Sequence, residues 1–245
     1  MQLALSTWHE VEDYLTTSNG IIIPIGSVEQ HGPNGLIGTD HLDAEFVAKG
    51  VGDAIGAAVA PTLAYGMSQH HLGFKGSATL RPSTLMLVVG DVVRSFAVHG
   101  FRKFFFINGH GGNVATVTAA FDELYAAISL GDAEEKVRCR MTFWSGPRCK
   151  KLSEQFYPGV DGSHATAAEV SLAQYYQQAH IKHAQMTPKV APPSGQFFEG
   201  ADYRARYPDG RIGSDPSLSS PEHGKLFYEA AVADMIDAYK GFLDY

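Results

Sequence analysis

The stretch FFFINGHGGN, from Phe104 to Asn113, joins a short apolar run to a histidine that lies among glycines. Residues 103–107 are predicted to form a buried strand, because a continuous apolar run of this length before glycines is typical of parallel sheets. Asn113 can cap a helix expected from residue 114 to about residue 128. His110 would then follow the carboxyl end of a strand, where open α/β sheets bind ligands.

The same strand, loop and helix order occurs earlier in the chain. Residues 21–25, IIIPI, predict a buried strand, followed by a glycine-rich loop over residues 26–38. Thr39 or Asp40 can cap a helix over residues 41–55. A strand over residues 57–63 and a helix from Pro82 to His99 continue the alternation. The pattern predicts an α/β protein, a three-layer α/β/α fold with a mostly parallel central sheet.

The second half of the chain continues this organisation. Residues 137–143 alternate apolar and polar side chains, which predicts a strand with one wetter face towards a sheet edge. Residues 165–178 are expected to be helical, and residues 185–220 mostly loop. Ser219 and Glu222 have the spacing of a capping box before a final helix. Without a repeat or a linker, residues 1–245 are predicted to form a single domain.

Composition narrows the class of protein. The chain has 245 residues, of which 44% are hydrophobic and 18% charged, so a packed core is expected. A formal net charge of −7 argues against nucleic acid as a partner. Cys139 and Cys149 do not form a C-x-x-C pair and are expected to be reduced thiols. No apolar stretch reaches the roughly 18 residues of a membrane span. Since the N-terminus also lacks the features of a signal peptide, a cytoplasmic protein without membrane contact is predicted.

Two interpretations of the glycine loop compete. Dinucleotide binding needs G-x-G-x-x-G, but the third glycine position after Gly109 and Gly111 is occupied by Val114. A lone histidine in a loop is often only a surface residue. Metal binding by His110 therefore depends on other polar residues that the fold would bring to the same crevice.

Three further motifs supply such residues. Glu29 and His31 are two apart and point the same way on an extended segment, although a solvated loop explains them equally well. Asp40 can cap a helix or bridge two metals. His164 and Glu169 are five apart, which places His164 just before a helix and Glu169 within its first turns. Alternatively, Glu169 serves only the helix dipole.

Charge counting favours a shared site for these residues. Three carboxylates in one crevice would repel one another, whereas two divalent ions would balance them. Histidine and carboxylate ligands suit Zn²⁺ first, with Mn²⁺ or Fe²⁺ as alternatives. Two ions about 3.5–4 Å apart can polarise a carbonyl and activate a shared water. His164, if it binds no metal, can protonate the leaving nitrogen.

Several motifs together resemble the creatininase family of amidohydrolases. They are PIGSVEQHGPNG…TD at residues 24–40, YGMSQHHLGFKGSATL at 65–80, FFFINGHGGN at 104–113, HATAAEVS at 164–171 and GRIGSDPSLSSPEHG at 210–224. The resemblance spans nearly the whole chain. It implies a three-layer α/β/α fold, a dinuclear metal site, hydrolysis of a non-peptide C–N bond in a cyclic amide or formamide, and a homohexamer. The implied metal ligands are Glu29, His31, Asp40 as the bridge, and His110.

Two departures from the family pattern bear on the substrate. Creatinine-hydrolysing members carry Tyr-Glu, with the glutamate as a ligand, where this chain has Gly111-Gly112. Glu169 is expected to replace that ligand, and formamides or related amides are favoured over creatinine itself. Lys75 and Ser77 stand where proline and threonine are common. The residues expected to line the substrate pocket are Ser68, His71, Gly111, Gly112 and Trp144.

Three functional hypotheses therefore follow from the sequence. The first is a metal-dependent amidohydrolase whose small-molecule amide is attacked by a metal-bridging water, with creatinine hydrolysis proper as its variant. The second is a nucleotide-binding oxidoreductase that uses the glycine loop. The third is a non-catalytic protein that keeps the metal ligands.

Overall fold

A computed structural model of the chain describes residues 1–134 and 136–244, which build a four-stranded parallel sheet with helices on both faces. The strands are β1 (Gly20–Ile25), β2 (Ala58–Val59), β3 (Lys103–Asn108) and β4 (Arg138–Phe143). The helices are α1 (Trp8–Leu15), α2 (Thr39–Ile55), α3 (Pro82–Val98), α4 (Asn113–Leu130), α5 (Pro147–Phe156), α6 (Ala167–Tyr176), α7 (Gly200–Arg206) and α8 (Pro221–Leu243). The strand order across the sheet is β2-β1-β3-β4.

The central strands β1 and β3 are buried because both of their faces are covered. Every residue of β1 is buried, as expected for an apolar run in a parallel sheet. Ile21 and Phe104 pack against α3 and α4, while Ile22 and Phe105 face the opposite core. Helices α2, α6 and α8 pack together around that second core. The predicted three-layer α/β/α architecture with a parallel sheet is confirmed.

The predicted strand and helix positions hold better than the predicted caps. The cap of α2 is Gly38, and Asp40 lies inside the first turn, where its carboxylate is directed to the site instead of the backbone. Asn113 is the first residue of α4, and its amide donates to the Gly26 carbonyl. The side chain of Ser220 caps α8, so the predicted box from Ser219 is wrong by one residue.

Other differences concern short elements. The strand predicted over residues 57–63 has only two residues in the sheet. Helices α1, α5 and α7 were not predicted, and α7 lies inside the expected loop over residues 185–220. All three are short, and α5 has a polar sequence, so apolar periodicity does not mark it. The edge position of β4 is confirmed, and both cysteines are free thiols.

Candidate metal centre

The sheet brings together the two loops that follow β1 and β3, at the carboxyl ends of these strands. Their register pairs Ile25 with Asn108, so the loops that follow leave the sheet side by side. The Nδ1 atom of His110 lies 3.3 Å from Glu29 Oε2. It also lies 3.1 Å from Asp40 Oδ2, at the start of α2. Residues 29, 40 and 110 thus meet because adjacent parallel strands end at the same edge.

Gly109 and Gly112 are needed beside His110 because a Cβ atom would not fit there. Their backbone torsion angles do not require glycine. A Cβ atom on Gly109 would lie 1.9 Å from the Asp40 carbonyl oxygen, and one on Gly112 would lie 2.3 Å from His110 Nε2. Neither glycine has a positive φ. Gly109 and Gly112 therefore permit close approach of the neighbouring atoms. Gly111 has open space around it.

His164 and Glu169 enter the site from the start of α6. Between them Ala165 has a φ of 51°, a left-handed conformation that is costly for a residue with a Cβ. Thr166 and Glu169 form a capping box at the start of α6. The Glu169 Oε1 atom lies 3.8 Å from His31 Nε2, and His164 Nδ1 lies 3.6 Å from Glu29 Oε1. The helix thus begins with both side chains at the site, as the spacing of five predicted.

Three groups of ligand atoms form a connected set in which all atoms of a group lie within 4.8 Å of one another. They are Glu29–Asp40–His110, His31–Asp40–Glu169 and Glu29–His31–His164. The first two groups share Asp40, and a carboxylate has two oxygens that can serve two cations. We call the first group the strand cluster and the second the helix cluster.

Hydrogen bonds orient two of the histidine rings with a free nitrogen towards the carboxylates. His31 Nδ1 lies 3.2 Å from the Glu29 carbonyl oxygen, and His110 Nε2 lies 3.0 Å from the Met67 carbonyl oxygen. A carbonyl oxygen only accepts, so these nitrogens carry the ring protons. The lone pairs then lie on His31 Nε2 and His110 Nδ1, which face Asp40. This is the arrangement that metal-binding histidines require.

The charges in the strand cluster depend on one another. Burial opposes ionisation of Glu29, yet nearby His110 and His71 outweigh it and hold its pKa well below the usual range. Burial likewise opposes the charged form of His110, but Glu29 and Asp40 raise its pKa well above the usual value. Without metal, the His110 ring therefore holds a proton at the place where a cation would otherwise lie.

The helix cluster shows the same competition. Burial lowers the pKa of His31, but Asp40 outweighs it and the pKa rises to about 10. Burial raises the pKa of Glu169 to about 7. Burial also lowers the pKa of His164 well below its usual value, helped by His71 and His31. His164 is therefore a neutral ring at neutral pH.

The donor set suits divalent cations. Glu29 Oε1, His31 Nε2 and Asp40 Oδ2 are buried without a hydrogen-bond partner. Leaving such atoms unsatisfied is costly, and a cation between them would remove that cost. Imidazole and carboxylate ligands in this number suit Zn²⁺, Mn²⁺ or Fe²⁺.

The residues expected to line the substrate pocket are distributed unevenly. Trp144 lies just after β4 and borders a cavity of about 620 Å³ together with Glu169, Thr166 and Phe227. Ser68 is fully buried and donates to the Ala78 carbonyl oxygen.

The other residues expected to line the pocket do not border this cavity. His71 is 2% exposed, with Nε2 3.1 Å from Glu29 Oε1. Gly111 is exposed and Gly112 half-buried, beside His110.

Sequence reasoning missed three polar residues beside the expected ligands. The Ser27 hydroxyl donates to Glu29 Oε2 over 2.9 Å, and Gln30 contacts both His71 and His164. Asp43, one turn beyond Asp40, accepts from the Tyr176 hydroxyl. The position of Gln30 between two expected ligands was the available signal for its role.

A three-layer fold with shared carboxylate–histidine clusters at its strand ends defines a metal-binding α/β enzyme. The sequence profile of the creatininase family (creatinine amidohydrolase) matches residues 4–239. The chain therefore belongs to the creatininase family of amidohydrolases. In the described residues, no helix is long and apolar enough to cross a membrane.

Individual relatives agree with this assignment. Creatinine amidohydrolase of Pseudomonas putida is 28% identical over 96% of this chain and 94% of its own length. A mycofactocin precursor peptide peptidase of Mycolicibacterium smegmatis is 40% identical, over only 41% of this chain and 42% of its own. A manganese creatininase structure has a TM-score of 0.85 and 26% identity, and covers 100% of this chain and 99% of its own. A mutant creatininase of the Zn–Zn type has a TM-score of 0.83 and 25% identity, with coverages of 100% and 98%.

Proposed function

We propose that this protein is a dinuclear metal-dependent amidohydrolase that cleaves a non-peptide C–N bond in a cyclic amide or formamide. The observation that carries the proposal is the sharing of Asp40 between the strand cluster and the helix cluster. Glu29, Asp40 and His110 would hold one ion, and His31, Asp40 and Glu169 the other. When bound, two such ions supply an activated water and polarise the amide carbonyl.

The chain's own catalytic group is His164. Its Nε2 lies 2.9 Å from the Gln30 carbonyl oxygen and donates to it, which leaves Nδ1 unprotonated beside Glu29. A neutral imidazole at this place accepts a proton at Nδ1 during attack on the carbonyl. The same atom then delivers the proton to the departing nitrogen. Starting as a base and finishing as an acid, His164 needs no proton from solvent.

The substrate would bind in the cavity that Trp144 and Glu169 border. Its volume of about 620 Å³ suits a small molecule, and it reaches the metal ligands at Glu169. Trp144 would supply an apolar wall for a flat amide or ring. Gly111 and Gly112 would leave room beside His110 for the reacting group.

Creatinine hydrolysis proper is the second candidate, supported by similarity to the P. putida enzyme over nearly the whole chain. Gly111-Gly112 argues against it, as do the varied names of the relatives. They name creatinine, a precursor peptide and 3-dehydro-scyllo-inosose, so family membership alone does not choose the substrate.

The same proposal includes a single domain, a homohexameric assembly and a cytoplasmic location. One sheet with helices on both faces supports the single domain, and two free thiols support a reducing compartment. The hexamer rests on the family resemblance and is tested by the mass of the native protein in solution.

The test begins with the metal content of purified protein that has been loaded with Zn²⁺ or Mn²⁺ and dialysed. About two ions per chain are expected. The loaded protein is then given creatinine, other cyclic amides and N-formyl amines, and the released amine or carboxylate is measured. Release from a formamide or cyclic amide supports the proposal. Failure to retain any metal would overturn it.

A further inference from the structure

Gln30 makes contacts that determine the hydrogen-bonding direction of a neighbouring histidine. Its side chain is buried between the loop after β1, the turn at residues 69–71 and the segment around residue 210. Gln30 Oε1 accepts from the Gly32 backbone amide over 2.8 Å. Gln30 Nε2 lies 3.0 Å from the Gly210 carbonyl oxygen and 2.9 Å from His71 Nδ1.

Two backbone groups fix the orientation of this amide. The Gly32 N–H can only donate and the Gly210 oxygen can only accept, so exchanging the amide's oxygen and nitrogen would break both bonds. One amide hydrogen points to Gly210, which leaves the other for His71. His71 Nδ1 must therefore be the unprotonated nitrogen of that ring.

The neutral His71 ring then carries its proton on Nε2, which lies 3.1 Å from Glu29 Oε1. This N–H lies beside Oε1, which has no aligned hydrogen-bond donor, while the Ser27 hydroxyl donates to Oε2 over 2.9 Å. Glu29 therefore has a donor group near each oxygen, with Oε2 3.3 Å from His110 Nδ1. His71 thus presents an N–H to the proposed ligand Glu29, without a free nitrogen to bind metal itself.

His164 is held by the same residue through a different group. Its Nε2 donates to the Gln30 backbone oxygen, so the tautomer of His164 does not depend on the Gln30 side chain. Gln30 Nε2 also lies 2.8 Å from His164 Nε2, so loss of the amide changes the surroundings of that ring. A side-chain substitution at residue 30 should therefore remove the donor to His71, while the backbone oxygen keeps His164 in the same tautomer.

We propose that Gln30 is a positioning residue for Glu29: its amide keeps the N–H of His71 on the side of Glu29, and the 3.1 Å contact between His71 Nε2 and Glu29 Oε1 favours the position that Glu29 has in the strand cluster. The inference rests on the proposed function only in taking Glu29 as a metal ligand. Groups that orient metal ligands in this way commonly affect affinity about 10- to 100-fold.

The first test is the Zn²⁺ affinity of Gln30→Leu, measured by competition with a chelating dye. One of the two ions should bind about 10- to 100-fold more weakly, while the ion of the helix cluster is unaffected. The matched control is Gln69→Leu, since Gln69 lies on the same turn as His71 but its exposed amide contacts only the Phe198 carbonyl. Equal affinities in Gln30→Leu and the unmodified protein would overturn the proposal.

A double-variant cycle tests whether Gln30 acts through His71. His71→Leu should weaken binding of the same ion. Adding Gln30→Leu to it should lower the Zn²⁺ affinity by less than about another twofold, because both changes interrupt the same series of contacts from Gln30 through His71 to Glu29. Losses that multiply would show that Gln30 acts by another route and would contradict the proposal.

The third test is ¹⁵N NMR of the histidine rings in alkaline buffer, with and without zinc. Gln30→Leu should change the ring-nitrogen signals of His71, while His164 should keep the signals of a ring protonated on Nε2. Unaltered His71 signals would refute the inference even in protein that binds no zinc, so its failure is separable from failure of the proposed activity. If Gln30→Leu does not fold, Gln30→Glu keeps the shape and the Gly32 contact but removes the donor to His71.

Discussion

The strand cluster and the helix cluster bring their ligands to one site by different means. Glu29 and His110 follow adjacent strands whose register is set by backbone hydrogen bonds. Glu169 belongs to α6, which is held against α2 by side-chain contacts that include the hydrogen bond from Tyr176 to Asp43. Exposure does not separate the clusters, since all of these side chains are buried. The comparison suggests that the strand cluster is the more rigid half and should keep its ion when the helix cluster is disturbed.

Asp40→Asn should have the largest effect, because Asp40 is the residue common to both clusters. Metal content should fall from about two ions per chain to none, with amide hydrolysis lost and the circular dichroism spectrum unchanged. Asp43→Asn is the control, since it lies one turn later on the same helix and burial raises its pKa well above the usual value. Asparagine there should mimic the neutral carboxyl and leave both ions bound. Two ions in Asp40→Asn would show that the clusters do not share this residue.

Glu169→Gln should separate the two clusters. Glutamine can keep the capping box with Thr166 but removes the anionic ligand, so α6 should stay folded. Elemental analysis should find about one ion per chain, retained by the strand cluster. If both ions are lost, the two clusters bind cooperatively and the proposed difference in rigidity is wrong.

His164→Ala should separate catalysis from metal binding. Both ions should remain, while the rate of amide hydrolysis falls about 10²- to 10⁴-fold because no group moves the proton to the leaving nitrogen. His180→Ala, at an exposed histidine outside the site, is the matched control. Loss of an ion in His164→Ala would instead assign His164 as a ligand, as its group with Glu29 and His31 permits.

The dependence of metal affinity on pH should be the most gradual effect. Without metal, His31 has a pKa raised to about 10, so it is protonated at neutral pH and must lose that proton to bind a cation. Affinity for the ion of the helix cluster should therefore fall about tenfold for each pH unit between 10 and about 7, and more steeply below 7, where Glu169 also binds a proton. Calorimetry in buffers of different ionisation enthalpy measures the released proton. Uptake without proton release would contradict this assignment.

The strands that carry the strand cluster and the helical segments around the helix cluster also differ in how well the sequence predicts them. The apolar runs of β1 and β3 and the polar motifs after them predict adjacent strands and neighbouring ligands, because a parallel sheet leaves few other arrangements. Helix α7, the left-handed Ala165 and the true cap of α8 were not predictable in this way. Each depends on local contacts that apolar periodicity does not report.

The amino-acid sequence by itself determined the α/β architecture, the family and the residue types that meet at the strand ends. Only the tertiary structure decided that Asp40 joins two clusters, and that Glu169 lies beside His31 instead of serving only as a helix cap. It also decided the direction of the hydrogen bonds around Gln30, whose amide contacts a carbonyl 180 residues away. The physical reason is distance along the chain. Periodicity depends on residues that are near neighbours in the sequence, whereas ligand orientation depends on contacts that form only when distant segments pack together.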